Sequence, residues 1–199
     1  MYVVRQPLVL GSGSPRRREL LALAGLTFEV RVTDVPEEPL DGEEPSEHAR
    51  RLARDKARAA SLVAPHALAL GADTIVVLDG EILGKPRDRA DAAAMLARLS
   101  GRTHEVLTGF ALAAGGNVRT SAVVRTEVDF RVLGAHEIEA YVASGEPLDK
   151  AGAYGIQGGA AAFVPAIRGS YTNVVGLPLV EVLGALFELG AIAPRGDRP

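Results

Sequence analysis

No cysteine occurs anywhere in the chain. That removes three chemistries at once: a disulfide framework, a thiolate zinc site and a cysteine nucleophile. A bound metal must rest on oxygen or imidazole ligands, a donor set that suits Mg²⁺ or Mn²⁺ where phosphate is involved. An excess of positive charge is also missing. The formal net charge is -3, which argues against a duplex-DNA binder while leaving local basic clusters open. No uninterrupted apolar run reaches membrane-spanning length. The first residues carry no basic stretch followed by a long apolar run and a small-residue cleavage site, so the expected location is the cytoplasm. The four histidines, His48, His66, His104 and His136, lack the spacing of paired metal ligands and read as surface or locally bonded groups. No G-x-S-x-G element supports a hydrolase triad. Internal repeats and low-complexity segments are absent as well.

What is present is an ordinary globular balance. Apolar residues make up 47% and charged residues 24% of the chain, enough for a substantial core in one sizeable domain or two small lobes sharing a cleft. Residues 2–10 read as a buried strand in which Pro7 limits pairing. The segment from Gly11 to Pro15 breaks it. Ser14 is placed to cap a helix and Pro15 to open it; the helix runs to about Leu23, and Gly25 stops it. A second strand is expected over 27–33. An acidic, proline-bearing loop follows from Asp34 to Pro45, then a helix capped by Ser46 and ending near Val63. Asp79-Gly80 is a hairpin signal that pairs 75–78 with 81–83. Asp88 caps a third helix reaching about Leu99. Residues 103–114 and 118–131 form long strands joined at Gly115-Gly116-Asn117. A helix over 134–144, a glycine-rich segment over 145–159, a strand over 161–167 and a helix from Pro178 to about Leu189 complete the pattern. The tail, 193–199, is expected to fray, which leaves 1–192 as a single domain of two lobes. Hairpins mixed with helices predict a mixed sheet in an α/β protein. Loops at 11–17, 34–38, 73–74, 84–87 and 149–158 are expected to line the cleft.

Four segments carry chemistry. In Ser12-Gly13-Ser14-Pro15-Arg16-Arg17, a strand, a small-residue loop and a helix start make an anion site, and paired arginines offer forked donors to phosphate. A helix cap with solvated arginines is the bland alternative. The segment lacks the Gly-Lys-Ser/Thr ending of a Walker loop and the third glycine of a dinucleotide fingerprint. In Gly71-Ala72-Asp73-Thr74 an acid interrupts an apolar run, which is costly unless it binds metal, is paired, or faces a cleft. A strand-end aspartate with local hydrogen bonds is equally open. Gly84-Lys85-Pro86 holds a lysine in a defined place, suited to a phosphate contact or simply exposed on a turn. The long segment from Gly145 to Gly158 is dense in glycine, acid, lysine and amide groups, and Gln157 offers both a donor and an acceptor to a base edge. Glu37 and Glu38 add carboxylates on a loop. Lys56 lies within the second helix, where an outward-facing lysine is the simplest account.

Taken in order, these stretches resemble one family. Ser12 to Arg17 with Leu20-Leu21, Gly71 to Thr74, Gly84 to Pro86, Leu99 to His104, Asp149 to Gly158 and Val175 to Leu179 together are similar to the Maf proteins, over nearly the whole chain. The resemblance implies an elongated α/β fold like that of the inosine-triphosphate pyrophosphatases, with a mixed sheet, flanking helices and a deep cleft between two lobes. It implies a nucleoside triphosphate pyrophosphatase that uses Mg²⁺ or Mn²⁺, commonly as a homodimer, with a housecleaning or cell-division-arrest role. Arg16, Thr74 and Gln157 resemble the branch that prefers dTTP and UTP; the other branch prefers 7-methyl-GTP. By the same resemblance Arg16, Arg17, Lys56 and Lys85 clamp the triphosphate and Ser12 contacts phosphate. Glu37 and Asp73 hold the metal, with Asp73 also favoured as proton acceptor. Thr74 and Gln157 select the base. Gly11 departs from the usual alanine, and the small residues at 159–162 imply a looser wall. A non-catalytic cell-division regulator is the alternative outside enzymology. No stable nucleic-acid or membrane partner is expected.

Overall fold

The computed structural model describes residues 1–196. Its elements are β1 (Tyr2–Val4), β2 (Leu8–Leu10), α1 (Pro15–Leu23), β3 (Glu29–Val30), α2 (Pro45–Val63), β4 (Leu68–Leu78), β5 (Glu81–Leu83), α3 (Arg89–Leu99), β6 (Thr103–Ala114), β7 (Asn117–Asp129), α4 (Ala135–Ala143), β8 (Ala166–Arg168), α5 (Tyr171–Val175), α6 (Leu179–Glu188) and β9 (Ile192–Pro194). The main sheet has the order β3-β2-β4-β6-β7-β8, with β5 paired to β4. β2 runs parallel to β3 and β4, whereas β5 and β8 pair antiparallel with β4 and β7. The sheet is therefore mixed, as the hairpin signals require. The chain forms two compact units. One comprises Met1–Asp73, Thr108–Val124 and the chain from Gly176; the other comprises Thr74–Leu107 and Arg125–Val175.

In the first unit the sheet meets α2 through missing side chains. Ala49, Ala53, Ala57 and Ala60 form one fully buried face of the helix, at the spacing that puts residues on a common side. Gly71 of β4 and Gly109 of β6 face that stripe. A Cβ on Gly71 would lie 2.3 Å from the Ala53 carbonyl oxygen, and one on Gly109 2.2 Å from that of Ala49. The helix thus rests directly on strand backbone. Alanine also favours the helix itself, since it loses no side-chain entropy there.

The second unit is packed around rings and branched aliphatics. Val76, Leu78, Leu96, Leu99, Val106 and Val128 surround Phe130, Tyr154 and Phe163. His104 meets Phe130 and Tyr154 edge-to-face, and its Nε2 lies 2.8 Å from the Tyr154 hydroxyl. Burial pushes the His104 imidazolium down to about 4.

Several expected boundaries shift. Residues 2–10 make two strands in different sheets, because Pro7 cannot donate and Arg5 and Gln6 bend. β1 pairs antiparallel with β9, Tyr2 opposite Pro194 and Val3 opposite Ala193. The start of the expected frayed tail is therefore strand; residues 197–199 lie outside the described residues. The strand expected over 27–33 shortens to Glu29–Val30. α2 opens at Pro45, not after Ser46, since proline tolerates the first helical position. The strand expected over 161–167 is a short 3-10 turn, Gly159–Phe163, followed by β8. α5 is an additional short helix that no cap signal announced. Ser14 precedes α1, but its side chain makes no cap bond; its backbone N–H donates to Ser12 Oγ instead, at 3.3 Å.

Candidate active site

The first unit holds six of the site residues singled out in the sequence: Ser12, Arg16, Arg17, Glu37, Lys56 and Asp73. β2 ends at Leu10, and the chain turns through Gly11 and Ser12 into α1. Arg17, in the first turn of that helix, is buried with 9% of its surface exposed. A buried guanidinium is costly unless its donors are used. Here Nε donates to the Gly176 carbonyl oxygen at 2.8 Å and Nη1 to Ser12 Oγ at 3.0 Å. Burial lowers the Arg17 pKa and Arg16 lowers it further, while the negative charges of Asp73 and Glu37 raise it. Arg17 remains a cation, as guanidinium does in proteins. Arg16, beside it, is half-buried.

Lys56 is not the outward-facing lysine that its helix suggested. It lies on α2 next to the alanine stripe, 9% exposed, so the close approach of helix to sheet brings its stem inward. The ammonium ends between two carboxylates, 2.7 Å from Asp73 Oδ1 and 2.5 Å from Glu37 Oε1. Asp73 sits at the point where the buried run of β4 is interrupted and is half-buried. The acid inside the apolar run is thus paired. Gly11 belongs to the same packing: a Cβ there would lie 2.8 Å from Ala60 Cβ and 3.0 Å from the Lys56 carbonyl oxygen. The departure from alanine at Gly11 is steric in consequence.

The loop that carries Glu37 is fastened by residues that the sequence reading did not select. Arg51 donates through Nε and Nη2 to both oxygens of Glu43, at 2.6 and 2.8 Å, and through Nη2 to the Glu38 carbonyl oxygen at 3.0 Å. His48 Nδ1 lies 2.9 Å from Glu43 Oε2, and the Leu40 N–H donates to the same oxygen at 3.1 Å. The Arg51 guanidinium, helped by His48 and Leu40, holds the Glu43 carboxyl down to about 2. The spacing of Glu43, His48 and Arg51 across a loop-to-helix junction was the available signal. That spacing alone does not single out Glu43, because loop carboxylates are usually solvated.

Thr74, Lys85 and Gln157 belong to the second unit. Thr74 follows Asp73 in β4 and is half-buried. Lys85 is exposed between Gly84 and a buried Pro86, and the Gly84 carbonyl oxygen accepts from the Gly152 N–H at 3.0 Å. Gln157 is exposed on the turn between Gly155 and Gly158, closed by the Gly158 N–H donating to the Gly155 carbonyl oxygen at 3.0 Å.

Glu37 and Asp73 fit a divalent cation in one specific sense: a cationic group already rests between them. No cluster of three or more histidine, aspartate or glutamate ligands occurs among the described residues. A two-carboxylate set is what Mg²⁺ takes when phosphate oxygens and water complete its shell. No helix among the described residues is long and apolar enough to cross a membrane.

Residues 7–189 match the family model described as Maf-like protein. A protein named dTTP/UTP pyrophosphatase from a Geobacter species is 58% identical over 188 residues, covering 93% of this chain and 96% of that one. The protein of the same name from Citrifermentans bemidjiense is 57% identical over 188 residues, with the same coverage of 93% and 96%. The one from Yersinia pestis is 58% identical over 175 residues, covering 87% and 88%. Among solved structures, a HAM1 protein from Coxiella burnetii is 19% identical, covers 92% of this chain and 99% of its own, and superposes with a TM-score of 0.49. With its model spanning nearly the whole sequence and relatives of that identity along its length, the chain belongs to the Maf family.

Proposed function

We propose that this chain hydrolyses dTTP and UTP to the nucleoside monophosphate and pyrophosphate. Water oxygen attacks the α-phosphorus, the bond from that phosphorus to the α–β bridging oxygen breaks, and pyrophosphate leaves. Such a reaction asks mainly for charge neutralisation and positioning, and for one group to receive a proton from the water. The observation that carries the reading is the cluster of Lys56, Asp73 and Glu37 in the unit that also holds the Arg17–Ser12 pair at the start of α1. That unit sets cationic side chains beside carboxylates, which supports the reading. The names of relatives identical at 57–58% support the same chemistry.

Glu37 and Asp73 would hold Mg²⁺ or Mn²⁺, which when bound screens phosphate charge and acidifies a coordinated water. Asp73 also receives the proton of the attacking water. Arg16, Arg17, Lys56 and Lys85 contact the triphosphate, and Ser12 contacts phosphate. Thr74 and Gln157 choose the base; the neutral amide of Gln157 suits the amide-like edge of uracil or thymine better than a methylated guanine. The same reading has a cytoplasmic homodimer and no stable nucleic-acid partner, in keeping with the net charge of -3.

Pyrophosphate release from dTTP, UTP, CTP and 7-methyl-GTP, with and without Mn²⁺, tests the proposal. Preferred, metal-dependent turnover of dTTP and UTP is expected. A preference for 7-methyl-GTP would move the chain to the other branch. Absence of turnover on all four would leave the non-catalytic role, which a division phenotype insensitive to Asp73→Asn would then support.

A further inference from the structure

Glu146 and Tyr141 play no part in the chemistry described above, yet they organise the turn that carries Gln157. The Tyr141 hydroxyl donates to Glu146 Oε1 at 3.0 Å and accepts from the Gly155 N–H at 3.1 Å. Glu146 Oε2 accepts from the Gly159 N–H at 3.0 Å. Both shoulders of the turn are thus tied to one tyrosine–glutamate pair. The glycines allow the wrapping. A Cβ on Gly158 would lie 1.9 Å from Glu146 Oε1, and one on Gly155 would lie 2.7 Å from Lys150 Cε. Lys150 closes the other side, donating to the Glu146 carbonyl oxygen at 2.7 Å and to Asp149 Oδ1 at 2.6 Å. Tyr141 is itself anchored, buried and edge-to-face with Phe163 at 5.1 Å between ring centroids. The turn therefore encloses a carboxylate, and Gln157 stands at its exposed corner.

We infer that Glu146, held by Tyr141, is a positioning residue for base selection: it fixes the Gly155–Gly159 turn so that Gln157 is presented in one place. This rests on the reading of Gln157 as the base-selecting residue. A carboxamide carries a donor and an acceptor on one group, so which base edge it pairs with depends on where the turn places it as well as on its own rotation. Uracil offers an N–H donor flanked by carbonyl acceptors; cytosine offers an amino donor beside a ring acceptor. A turn that does not adjust restricts the edge that the amide can reach, and a loosened turn widens the choice. In a loop otherwise rich in glycine, one N–H bond to the Glu146 carboxylate and one to the Tyr141 hydroxyl that the carboxylate holds supply that stiffness.

The experiment pairs two readouts on Glu146→Ala, Tyr141→Phe and Gln157→Ala, each checked for fold by circular dichroism. Hydrogen exchange of the peptide spanning 155–159 reports the turn. The ratio of kcat/KM for UTP over CTP reports selection. The expected result is exchange about tenfold faster in Glu146→Ala, the loss expected from removing one or two hydrogen bonds. The ratio should fall about as far as in Gln157→Ala, with no further fall in the double variant. Tyr141→Phe should shift both in the same direction. Unchanged exchange in Glu146→Ala overturns the clamp. Faster exchange with an unchanged ratio, while Gln157→Ala lowers it, overturns the positioning role and leaves base selection by Gln157 standing. An unchanged ratio in Gln157→Ala itself overturns base selection by that residue, and the selective role of Glu146 with it.

Discussion

Lys56 Nζ lies 2.7 Å from Asp73 Oδ1, a contact between a helix and a strand whose side chains are 11% and 13% exposed. Removing one member of such a buried pair leaves the other charge without compensation, which costs more than the pair itself contributes. Lys56→Met should lower the unfolding free energy by about 3 kcal/mol and reduce turnover. Asp73→Asn keeps an acceptor for the ammonium and should stay folded, while pyrophosphate release falls by at least about 100-fold. Urea titration and a coupled pyrophosphate assay check the two variants. Near-normal release by Asp73→Asn would remove that carboxylate from the mechanism.

Gly71 sets the distance between α2 and the sheet. A Cβ there would sit 2.3 Å from two backbone atoms of the helix, Ala53 O and Ala57 N, and backbone yields less readily than the end of a side chain. Gly71→Ala should cost about 3 kcal/mol or more, with activity lost as Lys56 is displaced. Gly84→Ala, where a Cβ meets nothing within 4 Å, should change stability by less than about 0.5 kcal/mol. Thermal melts of the two side by side decide it. Equal stabilities would mean that the helix does not bear on the strand.

Glu37 reaches the Lys56 ammonium from a loop and is more exposed than Asp73. Glu37→Gln should therefore leave the fold intact and raise the Mn²⁺ concentration for half-maximal activity by about tenfold or more, the scale of losing one metal-ligand interaction. Direct Mn²⁺ titration followed by electron paramagnetic resonance should show the same weakening without turnover. Unaltered Mn²⁺ affinity would assign the ion to other ligands.

His104 makes the protein sensitive to mild acid. Its folded pKa is pushed down to about 4 by burial, against an ordinary value near ~6.5. Below that ordinary value the unfolded chain takes up a proton that the folded chain refuses, so stability falls as pH drops and levels off below the folded pKa. Between pH 7 and pH 5 the loss attributable to His104 is about 2 kcal/mol. Glu43 and Glu137, each held down to about 2 by an arginine, act in the same sense at lower pH. Their contribution is intact above the ordinary carboxylate range and disappears as pH falls toward 2. Urea unfolding at both pH values should show His104→Gln losing less than the parent chain. A parallel decline in the two would exclude His104 as the source.

Much of the architecture is legible in local chemistry. Asp79-Gly80 turns the β4–β5 hairpin, and Asp79 and Gly80 have φ of 54° and 81°, the left-handed pair that such a hairpin needs. Asp88 accepts from the Asp91 N–H at 2.8 Å as the cap of α3. Local chemistry falls short where partners distant in sequence decide. The fate of Ala193 depends on Val3, since β9 is a strand only through its pairing with β1.

The candidate site divides in the same way. Ser12, Arg17, Asp73 and Gln157 stand out in the sequence because glycine, proline and interrupted apolar runs mark places where a backbone turns or a charge needs a reason. That Lys56 is buried, that Glu43 and Arg51 secure the Glu37 loop, and that Gly71 and Gly109 exist to admit a helix are facts of three-dimensional packing. Residue type and local spacing determined the turns, the caps and the kinds of side chain available for phosphate and metal. Only the tertiary structure decided which of those charges lose water and meet, because desolvation and pairing depend on neighbours that sequence separation does not reveal.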